Sequence, residues 1–189
     1  MAGVGSDLVA EFRACLTQLP RSKHGTLFED AELQTMSDND CRRFLTARNN
    51  KVEMAAHMAR NALEWRMRIQ LDKLGPSDIP TALPQGCWRF GGYTRDGQPI
   101  MLIKAALWRP SEYTVDEYGK YVGYMMDTNF KRAKNGHETA VVIFDMANFS
   151  TLQANFAMIR LLITINQDFF PERMSRCYII NSPRLFRWS

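Results

Sequence analysis

Gly92 and Gly97 stand at the spacing of a loop that cradles phosphate groups, but such a loop continues into a Lys and a Ser or Thr. Here Gln98-Pro99 follows, so the glycines read as part of a turn. His24, His57 and His137 are scattered, with neither the His-Glu-x-x-His pair of a zinc hydrolase nor a Gly-x-Ser-x-Gly nucleophile elbow anywhere in the chain. Cys15, Cys41, Cys87 and Cys177 form no Cys-x-x-Cys pair, so the expectation is reduced, mostly buried thiols and no metal. Asp145 follows an apolar run, at the strand end where α/β sheets place functional groups; alone, it reads as a turn former or helix cap. These residues compose no catalytic set. The expectation is a protein that is not an enzyme and needs no cofactor.

Composition narrows the remaining classes. The chain has 189 residues and is 46% hydrophobic, enough for one sizeable core or for a small helical module joined to a larger α/β part. No apolar run is long enough to span a bilayer, and Met1-Ala2-Gly3-Val4 lacks the basic start and apolar core of a signal peptide. Gly3 is misplaced for myristoylation, and no Cys near the end could carry a prenyl group. A cytoplasmic location is expected. The net charge is +4, with 11 basic and 10 acidic side chains in residues 1–75, too even a balance for a nucleic-acid partner. It permits transient contact with an anionic membrane surface.

The elements that must position these residues fall into two textures. Ser6 or Asp7 can cap a first helix with Leu8, Phe12, Cys15, Leu16 and Leu19 on one face, ended by Pro20 and followed by a polar link over Arg21–Thr26. Ser37 with Asp40 resembles a capping box and opens a short helix to Arg48. Asn50 and Glu53 can cap a third helix over 51 to about 71, with Val52, Ala55, Ala56, Ala59, Leu63 and Ile69 inward and Gly75-Pro76 closing it. Residues 1–75 therefore read as an all-helical module. Beyond a Pro-rich connector, Trp88–Tyr93 and Pro99–Lys104 flank Asp96-Gly97, a strong hairpin signal. Thr114 with Glu117 caps a helix that ends in Lys131, Arg132 and Lys134, cations suited to its negative C-terminal dipole.

Thr139–Phe144 and Cys177–Ile180 are apolar runs of the kind found in buried parallel strands, and a helix-length segment with Leu152, Phe156, Ile159, Leu162 and Ile163 lies between them. A strand, a crossover helix and a strand make a parallel unit. The fold class is therefore α/β, or more strictly α+β: the helical module, then a mixed, largely parallel sheet with crossover helices over residues 76–189.

Three sets of residues resemble the CRAL-TRIO family. Arg43-Phe44-Leu45-Thr46-Ala47-Arg48 with Leu63-Glu64-Trp65-Arg66 is similar to the family's helical N-terminal module. Asp96-Gly97-Gln98-Pro99 falls between this set and the last, where family members usually have Asp-Gly-Arg-Pro. Val142-Ile143-Phe144-Asp145-Met146, Phe170-Pro171-Glu172-Arg173-Met174 and Tyr178-Ile179-Ile180-Asn181-Ser182-Pro183 complete the likeness in the right order.

The resemblance implies one hydrophobic ligand, a phospholipid (phosphoinositides included) or an isoprenoid-type lipid. The ligand would be held in an apolar pocket floored by the sheet and presented or exchanged between membranes. Phe90, Met101, Ile103, Val142, Phe144 and Ile179 are the candidate pocket wall, each equally readable as plain core. For the headgroup of an inositol lipid, Arg48 and Glu172 match the family's basic residue and acid, with a structural pairing of the two as the other reading. Asn49 replaces the second basic residue, and the choline-type Ser and Thr positions fall on Ala140 and Val142. Family domains continue past the Ser-Pro segment, so the expectation is a sheet incomplete at the C-terminus, with Leu185, Phe186 and Trp188 beside an open edge that favours self-association. The rival expectation is a ligand-free regulatory or protein-interaction fragment of the same fold.

Overall fold

The computed structural model describes residues 5–19, 36–150 and 154–182. Pro20, the polar link over Arg21–Thr26, Leu152 and the segment holding Leu185, Phe186 and Trp188 lie outside the described residues. Two compact units form. One contains the described residues up to Asp72 together with Asn166–Glu172; the other contains Lys73–Ile165 and the residues from Arg173 onward.

The first unit is helical. In α1 (Ser6–Gln18), Val9, Phe12 and Leu16 fall on one face and are buried, and Leu8, Cys15 and Leu19 pack beside them. The expected cap by Ser6 or Asp7 is not made: Gly5 holds the cap position, and the Ser6 hydroxyl donates to Asp7 instead, at 3.3 Å. In α2 (Asp38–Ala47) the capping box is complete, with the Asp40 amide donating to Ser37 Oγ at 3.1 Å and the Ser37 amide to Asp40 Oδ2 at 3.2 Å. This satisfies two amides that the first helical turn leaves unpaired.

α2 stops because the chain turns left-handed. Asn49 and Asn50 have φ of 52° and 62°, and their amides donate back to Thr46 O at 3.1 Å and Leu45 O at 2.8 Å. Asn50 is thus consumed by this stop, and α3 (Val52–Arg68) is capped by Lys51 without a side-chain bond rather than by Asn50 or Glu53. Ala55, Ala56, Ala59 and Ala62 form its buried stripe, small enough for α1 to approach closely. α3 ends at Ile69, earlier than the Gly75-Pro76 stop expected, because Gln70 turns left-handed with φ 53°.

The second unit is built on a four-stranded sheet, β1 (Trp88–Tyr93), β2 (Pro99–Lys104), β3 (Ala140–Asp145) and β4 (Met174–Ile180), in the order β1-β2-β3-β4. The Asp96-Gly97 hairpin pairs β1 and β2 antiparallel, and the other two pairings are parallel, so the sheet is mixed and largely parallel as expected. Gly97 has φ 104°, and a Cβ there would lie 2.8 Å from Asn135 Nδ2, so only glycine fits.

α4 (Val115–Phe130) starts at Thr114, whose hydroxyl accepts from the Glu117 amide at 3.1 Å. The reciprocal half of the expected box is absent. Glu117 Oε1 accepts from the Thr81 and Ala82 amides instead, at 2.8 and 3.0 Å, fixing the Pro-rich connector. α4 lies on the sheet face that carries Trp88: the Trp88 amide donates to the Tyr121 hydroxyl at 3.0 Å, and the two rings meet edge to face.

Two expectations are corrected in the β3–β4 crossover. In α5 (Phe156–Thr164), Met158 is buried and Leu161 and Leu162 are half-buried, whereas Phe156 is 80% exposed and Ile163 48% exposed. This helix is apolar nearly all round, so spacing alone did not choose its inward face. β4 was expected to be buried. It is exposed along all seven residues, and among the described residues it stands at the sheet edge, paired only with β3.

Candidate functional site

The motifs at the two ends of the sequence meet in the first unit. Trp65, 4% exposed, stacks on Phe169 with ring centroids 4.6 Å apart and meets Phe170 edge-on at 6.1 Å. Burying three aromatic rings against one another contributes more than their area alone. A π-helical turn, Ile165–Phe169, delivers Asp168 to the end of α2, where Arg48 donates to its Oδ1 at 2.9 Å and to Ala47 O at 3.1 Å. Arg48 therefore pairs with Asp168. Glu172 is exposed, and its φ of 56° makes it the left-handed residue that turns the chain into β4. No pattern in the sequence pointed to Asp168, since a π turn shifts side-chain phase in a way that helical spacing does not anticipate.

Asn49, the departure from the family's basic pair, also has a physical reason. Its backbone sits in the left-handed region that closes α2, which Asn tolerates better than Arg or Lys.

In the second unit, strand register places all six wall candidates on one face. Phe90 stands opposite Met101, which neighbours Val142; Ile103 neighbours Phe144, which neighbours Ile179. This is the α4 face. Met101, Ile103 and Val142 are buried there at 2%, 5% and 6% exposure, Phe144 is half-buried, and Phe90 and Ile179 are exposed. The other face carries Ile100, Leu102, Val141, Ile143, Tyr178 and Ile180, of which Val141 is buried and the rest are half-buried or exposed. Alternation along the strands was legible in the sequence. Which face a helix would cover was not.

Asp145 acts as the expected turn former, accepting from the Ala147 amide and from Asn181 Nδ2, both at 2.9 Å. The Asn181 bond first, and the Ala147 amide second, hold its carboxyl below the usual carboxylate range. Of the four thiols, Cys41 and Cys87 are buried, Cys15 is half-buried and Cys177 is exposed. Among the described residues, no three His, Cys, Asp or Glu side chains converge to hold a metal, and no helix is long and apolar enough to cross a membrane. An open cleft of about 520 Å³ is lined by Trp108, Arg109, Pro110, Ser111, Asn155 and the exposed Phe156. That volume is within the range of small-molecule sites.

Comparison with known proteins places these features. Residues 84–189 match the CRAL/TRIO domain. The chain is 29% identical over 161 residues to the CRAL-TRIO domain-containing protein C3H8.02 of Schizosaccharomyces pombe, covering 78% of this chain and 36% of that protein. It is 25% identical over 164 residues to the phosphatidylinositol transfer protein CSR1 of Eremothecium gossypii, covering 79% and 37%. The chain thus spans about a third of the length of these curated relatives. The crystal structure of Sfh5 superposes with a TM-score of 0.62 at 14% identity, covering 96% of this chain and 68% of that one, a likeness of fold.

Proposed function

This chain belongs to the CRAL/TRIO domain family, and from that premise we propose that it binds one hydrophobic ligand and transfers or presents it between membranes. A phospholipid is the first candidate, phosphatidylinositol before others, because a relative that covers most of this chain is named for its transfer. The observation that carries the reading is the apolar surface of β4, where Met174, Tyr178, Ile179 and Ile180 are 45%, 47%, 62% and 43% exposed. Ile179 shares its face with Phe144, whereas Tyr178 and Ile180 point to the opposite face, so an acyl chain laid against the Phe144–Ile179 face would take Ile179 out of water and gain about 0.8 kcal/mol per buried methylene.

Within this reading Phe144 and Ile179 are the wall residues assigned to ligand contact, with Met101, Ile103 and Val142 as the packed floor behind them. Arg48 and Glu172 are proposed for an inositol-phosphate headgroup on family resemblance. Residues 1–75 are taken as the helical module and 76–189 as the lipid-binding part, acting in the cytoplasm without catalysis.

The test is to purify the chain from cells, identify any co-purified lipid by mass spectrometry, and measure transfer of labelled phosphatidylinositol between vesicles. Co-purified phospholipid and transfer above the protein-free rate are expected. A lipid-free chain with no transfer would sink the proposal and favour a ligand-free regulatory fragment of the same fold.

A further inference from the structure

At the hairpin end of the sheet, two exposed aromatic rings are interleaved with cations. Phe90 and Tyr93 are each 37% exposed and meet edge to face at 5.0 Å. The Arg132 guanidinium lies over the Phe90 ring, 4.8 Å from its centroid, and the Lys134 ammonium over the Tyr93 ring at 4.0 Å. Glycine makes this possible. Gly91 and Gly92 form a bulge in β1, with Gly92 at φ 95°, and the register shift between Phe90 and Tyr93 falls there.

The segment after α4 is tied to the hairpin turn by backbone bonds. The Lys134 amide donates to Gly97 O at 3.1 Å, and Asn135 Nδ2 to Asp96 O at 3.0 Å. Arg95 adds exposed positive charge nearby in the chain. The acids close by are engaged: Asp127 pairs with Lys131 at 2.6 Å, and Asp96 accepts from Gln98 at 3.0 Å and stands 3.5 Å from His137. The helix dipole explains why cations stand at the end of α4. It does not explain two of them held over exposed aromatic rings.

We infer that Phe90, Tyr93, Arg132 and Lys134 form a docking surface for an anionic bilayer. The chemistry is complementary on both counts. Cations gain from the negative surface potential of acidic lipids, roughly fivefold in partition per Lys or Arg. Aromatic rings settle at the level of the headgroups, apolar body inward. Nucleic acid fits less well, because 20 acidic residues offset 24 basic ones and leave a net charge of only +4. The inference goes beyond ligand sequestration: a chain that carries no lipid would still bind vesicles through this patch.

Flotation of the full chain with vesicles tests it. Binding to mixed phosphatidylcholine–phosphatidylserine vesicles, weak binding to phosphatidylcholine alone, and loss at high salt are expected. Arg132→Gln combined with Lys134→Gln should lower partition about 25-fold, two cations at roughly fivefold each. Phe90→Ala with Tyr93→Ala should weaken binding to the mixed vesicles at low salt, and Lys134→Arg should retain binding. Circular dichroism and thermal midpoints of each variant separate lost docking from lost folding. Equal binding to both vesicle types, or an unchanged partition in the folded double-Gln variant, would overturn the inference. So would binding of an RNA oligonucleotide through the same cations with no vesicle binding.

Discussion

Arg48 leaves α2 with its guanidinium 2.9 Å from Asp168, both side chains partly in water at 30% and 42% exposure. An ion pair so exposed contributes at most about 1 kcal/mol. Arg48→Ala and Asp168→Asn should therefore each lower stability by no more than that in urea unfolding, and a double-mutant cycle should show that the losses are shared. If Arg48 also meets a phosphorylated inositol, Arg48→Ala weakens binding of that lipid while neutral hydrophobic ligands are less affected; equal loss for both classes would leave only the structural pair. Half of this pair is legible in the sequence. The motif placed Arg48 at a helix end, because local spacing determines that. The resemblance offered Glu172 as a headgroup carboxylate, with pairing to Arg48 as the other reading, whereas the observed partner, Asp168, depends on a π turn that no short-range pattern encodes.

Among the elements, α2 is specified almost entirely by its own residues, from Ser37 and Asp40 at one end to Asn49 and Asn50 at the other. Ser37→Ala should cost about 1 kcal/mol, read as a lower unfolding midpoint, since it strips the Asp40 amide of its acceptor. β4 is the opposite case. Its apolar run reads as a buried strand, yet burial depends on what packs over a strand, a non-local property. With Met174, Tyr178, Ile179 and Ile180 exposed, the chain should bind an apolar dye and self-associate as concentration rises. Ile179→Lys should suppress both in dye titration and sedimentation while moving stability by less than about 0.5 kcal/mol, as surface substitutions do. A clean monomer of the parent chain at high concentration, blind to the dye, would contradict this. α5 falls between the two: its existence was legible, its inward face was not.

Across the whole molecule, the second unit gathers Cys87, Tyr113, Tyr118 and Tyr121 out of water. Burial pushes the Cys87 thiol up to about 12, and it raises all three phenols above their ordinary value. The unfolded chain releases these protons at about pH 8.5 for Cys and about pH 10 for Tyr. Each group's contribution is therefore fully present below its unfolded value and is lost as pH rises toward its folded one. Thermal midpoints should hold steady up to about pH 8 and then fall steeply between roughly pH 9 and 12. Tyr121→Phe should flatten that limb while losing the bond to the Trp88 amide.

The order of strands in space is the order of strands in the chain. Among the described strands each new one can therefore dock onto an edge that already exists, and none has to force its way between two others. The hairpin of β1 and β2 closes locally, within about 1–10 μs. β3 and then β4 must each wait for a helix-length crossover to be ordered before they are held in place, which costs loop-closure entropy. Emerging from a ribosome, such a sheet would assemble in the sequence it is synthesised, one strand at a time, each finished edge serving as the template for the next.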